Sequence, residues 1–90
     1  MRKRGRVDEP QQEIVAALRR VGWDAWSLAP LGKGKADLLA CHLATGRLVL
    51  MEVKSRRGRL TADQLAVHQR WPIQVVRSVD EAMKAIGVRT

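Results

Sequence analysis

A single cysteine, Cys41, occurs in the 90 residues, so neither an internal disulfide nor a multi-cysteine zinc or iron–sulfur centre can form within one chain. A reducing cytoplasm is the expected compartment. Phenylalanine and tyrosine are absent. Trp23, Trp26 and Trp71 could stack nucleic-acid bases, but with so little aromatic area available they are expected in the core. No apolar run approaches the roughly 20 residues of a membrane-spanning helix. Met1-Arg2-Lys3-Arg4 precedes no apolar stretch of the kind that directs export, so a soluble, non-exported chain without a membrane partner is expected. There is no internal repeat and no low-complexity tract. Ninety residues fit one small domain, expected over 8–87, with a basic arm over 1–7 and a tail over 88–90.

Acidic residues are also scarce. Nine Asp and Glu face seventeen Lys and Arg, giving a formal charge of +8, while the 46% apolar fraction is ordinary for a globular chain. Such a chain folds and attracts polyanions. Arg2, Lys3, Arg4 and Arg6 form a basic head, Lys33 and Lys35 flank Gly34, and Lys54, Arg56, Arg57 and Arg59 follow an apolar strand. The latter two clusters fall in glycine-containing loops rather than along one amphipathic helix, which favours nucleic acid over a membrane surface.

The hydrophobic pattern predicts the order α-β-β-β-α-β-α, a mixed central sheet flanked by helices. Asp8 caps a first helix over about 9–21, with Pro10 in its first turn, Gly22 at its stop, and Ile14, Leu18 and Val21 as its buried stripe. Strands follow at Trp23 to Leu28, Ala36 to Cys41 and Arg47 to Lys54, the last two joined as a hairpin through His42 to Gly46. Thr61-Ala-Asp-Gln64 is a capping box opening a helix that buries Leu65 and His68 or Gln69 and ends before Pro72. Ile73 to Val76 is a short strand, and Ser78-Val-Asp-Glu81 caps a last helix that Gly87 stops.

Alternation along the strand 47–54 places Leu48, Leu50, Glu52 and Lys54 on one face, with Val49, Met51 and Val53 on the other. Two charges thus share a face with leucines expected in the core, an arrangement that costs several kcal/mol per buried ion unless each is paired or binds a metal. Asp37 repeats the anomaly on the neighbouring strand. Antiparallel pairing through the hairpin sets Asp37 against Glu52 to Lys54, so two carboxylates and one lysine converge. Hard divalent cations take oxygen ligands, and magnesium uses one or two carboxylates plus phosphate oxygens. Asp37, Glu52 and the Val53 carbonyl are the candidate ligands. Lys54, about 6.8 Å along the strand from Glu52, is placed to orient an attacking water or stabilise charge on a scissile phosphate. Each residue also has a plainer reading: Asp37 binding loop amides, Glu52 and Lys54 as an ion pair, Gln64 as a cap, His42 and His68 in loop or packing roles, and Cys41 as a small buried residue.

Glu52-Val-Lys54, preceded by Gly34-Lys35-Ala36-Asp37 on the adjacent strand and by a helix carrying Glu13, resembles the PD-(D/E)XK nuclease superfamily. The likeness is to small phage and bacterial VRR-NUC-type domains. It extends to Leu60-Thr-Ala-Asp-Gln64, similar to the family's glutamine-bearing helix start, and to Val75-Val-Arg-Ser-Val-Asp-Glu81, similar to its closing strand and helix. The resemblance implies a restriction-endonuclease-like core, dependence on Mg2+ with Mn2+ as substitute, no small-molecule cofactor, and kinship with Holliday-junction resolvases that act as dimers. On this reading Asp37, Glu52, Lys54, Glu13 and Gln64 form the catalytic set, and Lys33, Lys35, Arg56, Arg57 and Arg59 hold the DNA backbone. Glu9 is the alternative to Glu13, which lies deeper in the helix. Ala36 stands where the family usually has proline, which relaxes the backbone before Asp37. A homodimeric, structure-selective DNA endonuclease is therefore expected. A noncatalytic nucleic-acid-binding module of the same fold is the alternative.

Overall fold

The computed structural model describes residues 9–32 and 35–88; Asp8, Lys33 and the expected basic arm lie outside them. The elements run α1 (Glu9–Arg20), β1 (Trp23–Ser27), a 3-10 turn (Ala29–Leu31), β2 (Leu38–His42), β3 (Leu48–Val53), α2 (Ala62–His68), β4 (Ile73–Val76) and α3 (Val79–Ala85). The predicted order is present, with the 3-10 turn added where Pro30 occupies an early helical position. The four strands form one mixed sheet in the order β1-β2-β3-β4, the first two pairings antiparallel and the last parallel.

Local chemistry fixes the boundaries. Gly46, at φ +80°, closes the β2–β3 turn, where its N–H donates to the His42 carbonyl at 2.7 Å; this turn sets the register of both strands. Thr61 and Gln64 form the reciprocal capping box of α2, an interaction worth about 1 kcal/mol. At α3 only half of the expected box forms. Ser78 accepts from the Glu81 N–H, but the Glu81 carboxylate takes the N–H of Arg77 instead of that of Ser78. Gly87, at φ +93°, ends α3: its N–H donates to Lys84 and that of Val88 to Met83.

The core lies on one face of the sheet, beneath α1 and α3. Ile14, Leu18, Leu38, Ala40, Met51, Val76 and Ala82 are at most 1% exposed. Several sequence expectations change here. In α1 the buried stripe is Ile14, Ala17 and Leu18; Val21 is 40% exposed because the helix ends at Arg20 and residue 21 enters the turn. In β3 the core face carries Val49 and Met51, while Leu48 is 61% exposed and Leu50 half-buried. Both faces of β3 are apolar, and the two long packing helices choose between them. Alternation therefore places Glu52 on the face opposite the main core, the one approached by α2. The inward side of α2 holds Gln64, Val67 and His68, and Leu65 is exposed. Of the tryptophans only Trp23 is buried; Trp26 and Trp71 are 64% and 59% exposed. Cys41 is half-buried, its thiol 3.7 Å from the His42 carbonyl. Among the described residues no helix is long and apolar enough to cross a membrane.

Candidate active site

One step beyond the Leu38–Met51 pair of the β2–β3 register, Asp37 stands opposite Glu52. Its backbone is clamped from both sides. Its N–H donates to the Met51 carbonyl and its own carbonyl accepts from the Leu28 N–H, both at 2.9 Å. These two bonds fix the Asp37 backbone in place although Ala36, buried beside it, lacks the φ restraint of a proline. The Asp37 side chain folds onto β3, where Oδ2 accepts the N–H of Val53 at 2.7 Å. That contact matches the plainer reading of an aspartate on backbone amides, yet it also fixes the carboxylate beside Glu52.

Among the described residues Glu52 is the one buried charged side chain, 2% exposed. Its Oε2 accepts from Gln64 Nε2 at 3.1 Å and lies 3.7 Å from Lys54 Nζ. Its Oε1 is buried with no hydrogen-bond partner among the described residues. An ordinary ion pair would hold the carboxyl below the usual carboxylate range. Here burial and then the negative charge of Asp37 push Glu52 up to about 7, against the pull of Lys54. The pair therefore has one cation too few for its two acids. An unpartnered buried carboxylate oxygen facing a second carboxylate is a donor set that suits a hard divalent cation.

Gln64 belongs to two structures at once. Its Oε1 accepts the Thr61 N–H in the capping box while its Nε2 reaches Glu52, so the helix start orients the carboxylate. His68, one turn further along α2, lies near Lys54. Burial and then that lysine disfavour its imidazolium, lowering its pKa from the ordinary histidine value. A cleft of about 380 Å³ opens over the site between Asp37, Lys35, Gly32 and the start of α2 at Thr61, Asp63 and Gln64.

The structure thus brings Asp37, Glu52, Lys54 and Gln64 together, with the Val53 backbone against Asp37. It does not bring Glu13 to them. Glu13 is exposed on α1, which packs on the opposite face of the sheet, and among the described residues no three His, Cys, Asp or Glu side chains gather as a metal-binding group. The groove beside Ser27 and Leu38 is lined from α1 by Gln11, Gln12, Val15, Ala16 and Arg19, not by Glu13. Lys35 lines the cleft, and Arg56, Arg57 and Arg59 are carried on the loop after β3. A residue that sequence reasoning missed, Arg77, holds this loop: its Nη1 donates to the carbonyls of Ser55 at 2.8 Å and Gly58 at 2.6 Å. Its partners are backbone groups 22 and 19 residues away, which leave no side-chain pattern to read.

A solved structure described as a VRR_NUC domain is similar over 84% of this chain and 88% of its own, with a TM-score of 0.70 and 26% sequence identity. The chain has the fold of a VRR-NUC nuclease-type domain. No family model and no curated protein matches it. Its VRR-NUC fold places Asp37 and the Glu52-Val-Lys54 run on paired neighbouring strands, the arrangement on which the sequence resemblance rested.

Proposed function

We propose that the chain is a divalent-metal-dependent endonuclease that hydrolyses DNA phosphodiester bonds and selects DNA by structure rather than base sequence. The observation that carries this reading is Glu52: a buried carboxylate with an unpartnered Oε1, held beside Asp37 and Lys54 next to a cleft that Lys35, Asp37 and Asp63 line. Asp37, Glu52 and the Val53 carbonyl would hold Mg2+, or Mn2+ in its place. When bound, such a cation supplies water activation and charge neutralisation at the scissile phosphate. Lys54 keeps an ammonium within reach of that phosphate and balances one of the two acids. Gln64 fixes the Glu52 rotamer. Lys35, Arg56, Arg57 and Arg59 bind backbone phosphates, and Arg77 sets the shape of the loop that carries the arginines.

Incubating the protein with linear duplex, nicked, flap and four-way-junction DNA in Mg2+, Mn2+ or EDTA tests this reading. Cleavage is expected with either metal, none in EDTA, and rates should differ among DNA shapes more than among sequences. In EDTA, affinity for duplexes of unrelated sequence should agree within severalfold and fall steeply with salt. Absence of cleavage on every DNA with both metals would leave the noncatalytic binding module.

The active form is proposed to be a symmetric homodimer, since two cuts in a duplex or junction call for two sites. Exposed Trp26, Leu43 and Leu48 around a cavity of about 160 Å³, on the sheet face away from α1 and α3, support self-association. Sedimentation at micromolar concentration should give a species of twice the chain mass; a monomer with and without DNA contradicts it.

A further inference from the structure

Beside the acidic cleft, on the same side of the sheet, lies a depression of about 250 Å³ with an almost wholly apolar lining. Leu50 and Ile73, register partners on β3 and β4, form part of it, together with Val67 of α2, Trp71 from the segment between α2 and β4, and Leu31 from the 3-10 turn. Trp71 and Leu31 are 59% and 62% exposed. The chain has only three aromatic residues, and this one is spent at the mouth of a pocket instead of in the core. Its backbone is held on both sides, its N–H donating to the Val67 carbonyl and its carbonyl accepting from Ile73, so the ring is carried on a fixed support.

The pocket and the cleft are continuous, sharing Leu28, Lys35 and Ala36, and Ala36 adjoins Asp37 in the chain. Lys35 is the single charged residue lining the pocket among the described residues. An apolar pocket with a tryptophan at its rim, joined through one ammonium to the proposed site for phosphate, matches the two halves of a nucleotide. A base in a continuous duplex is paired and stacked on both faces and cannot enter. Stacking on tryptophan tolerates every base, which agrees with indifference to sequence.

We propose that this pocket takes the unpaired base next to the scissile phosphate, so that the preferred substrate is DNA with an unstacked nucleotide at the cut: a bulge, a flap base or a single strand at a branch. The inference rests on the nuclease reading for the position of the scissile phosphate, and its test is a binding measurement in EDTA that needs no cleavage.

The probes are a duplex with one unpaired 2-aminopurine and a fully paired duplex of equal length, bound to wild-type protein, Trp71→Ala and Trp71→Phe. Wild-type protein should bind the bulged DNA about tenfold more tightly than the paired one and quench the 2-aminopurine emission. Trp71→Ala should lose most of that preference and the quenching, with paired-duplex affinity unchanged within about twofold; Trp71→Phe should keep most of both. Equal affinities of Trp71→Ala and wild type for the bulged DNA, or an equal loss on both DNAs, would overturn the proposal. So would a change in sedimentation with the preference intact, which would assign the pocket to a second copy of the chain. Cleavage of either DNA by wild-type protein in Mg2+ is scored separately and judges the nuclease reading alone.

Discussion

Asp37→Asn and Glu52→Gln are each expected to reduce DNA cleavage in Mg2+ by about 100-fold or more while leaving DNA affinity within a few-fold of wild type. Substitution of groups that merely support metal ligands typically costs about 10- to 100-fold, so loss of a ligand itself should exceed that range. An amide oxygen is a far weaker ligand than a carboxylate for a hard cation. Both changes preserve shape. In Asp37→Asn the side-chain amide oxygen can still accept the Val53 N–H that Asp37 Oδ2 now takes at 2.7 Å, and in Glu52→Gln the amide oxygen can still accept from Gln64. Affinity rests on Lys35 and the loop arginines, and removal of a negative charge from beside the bound phosphates should strengthen metal-free binding slightly. Lys54→Ala should lose cleavage too, but through the ammonium. Mn2+ should partly restore the ligand variants and not the lysine variant. Cleavage rates with circular dichroism as the folding control check these outcomes; a folded Asp37→Asn protein cutting at the wild-type rate in Mg2+ contradicts the assignment.

Glu52→Gln should also make the metal-free protein more stable, by an amount that depends on pH. In the folded chain the Glu52 carboxyl is raised to about 7 from its ordinary 4.5, mainly by burial and by Asp37. Between those values the native state holds a proton that the unfolded chain has released, so wild-type stability falls as pH rises through this window. The deficit is complete above pH 7 and amounts to about 3 kcal/mol. Glutamine cannot ionise, and its NH2 gives Asp37 a donor. At pH 8 the variant should therefore melt more than about 10 °C above wild type, and at pH 4 the two should nearly coincide. Added Mn2+ should raise the melting temperature of wild type well above the smaller rise in the variant. Thermal melts at the two pH values, with EDTA and with Mn2+, decide it. A variant less stable than wild type at pH 8 would mean that Glu52 acts as a structural ion pair. The opposed effects of one substitution on stability and activity mark a residue retained for chemistry.

The juxtaposition of Asp37 and Glu52 was legible in the sequence because it depends on a short hairpin: Thr45-Gly46 sets the register, and strand alternation does the rest. The helix limits were legible for a similar reason, since caps such as Thr61 with Gln64 are local. What the sequence did not reveal was which side of the sheet the helices cover. Leu48 and Leu50 are as apolar as Val49 and Met51, so strand composition alone could not show that α1 and α3 pack on the second pair. The same ambiguity hid the exposure of Trp26 and Trp71, the turning of α2 toward Gln64 and Val67 instead of Leu65, and the outward position of Glu13. Arg77 was invisible because it bonds to carbonyls, which every residue has.

Titrating metal-free protein with Mn2+ across pH 5.5 to 8.5, for wild type and Glu52→Gln, tests the central claim most directly. If Glu52 and Asp37 hold the cation, wild-type affinity must rise as pH increases through about 7, because the Glu52 proton has to leave before the oxygen can coordinate. The variant should bind at least about tenfold more weakly, with little change over the same range. Equal affinity of the two proteins at pH 8 would show that the cation site lies elsewhere.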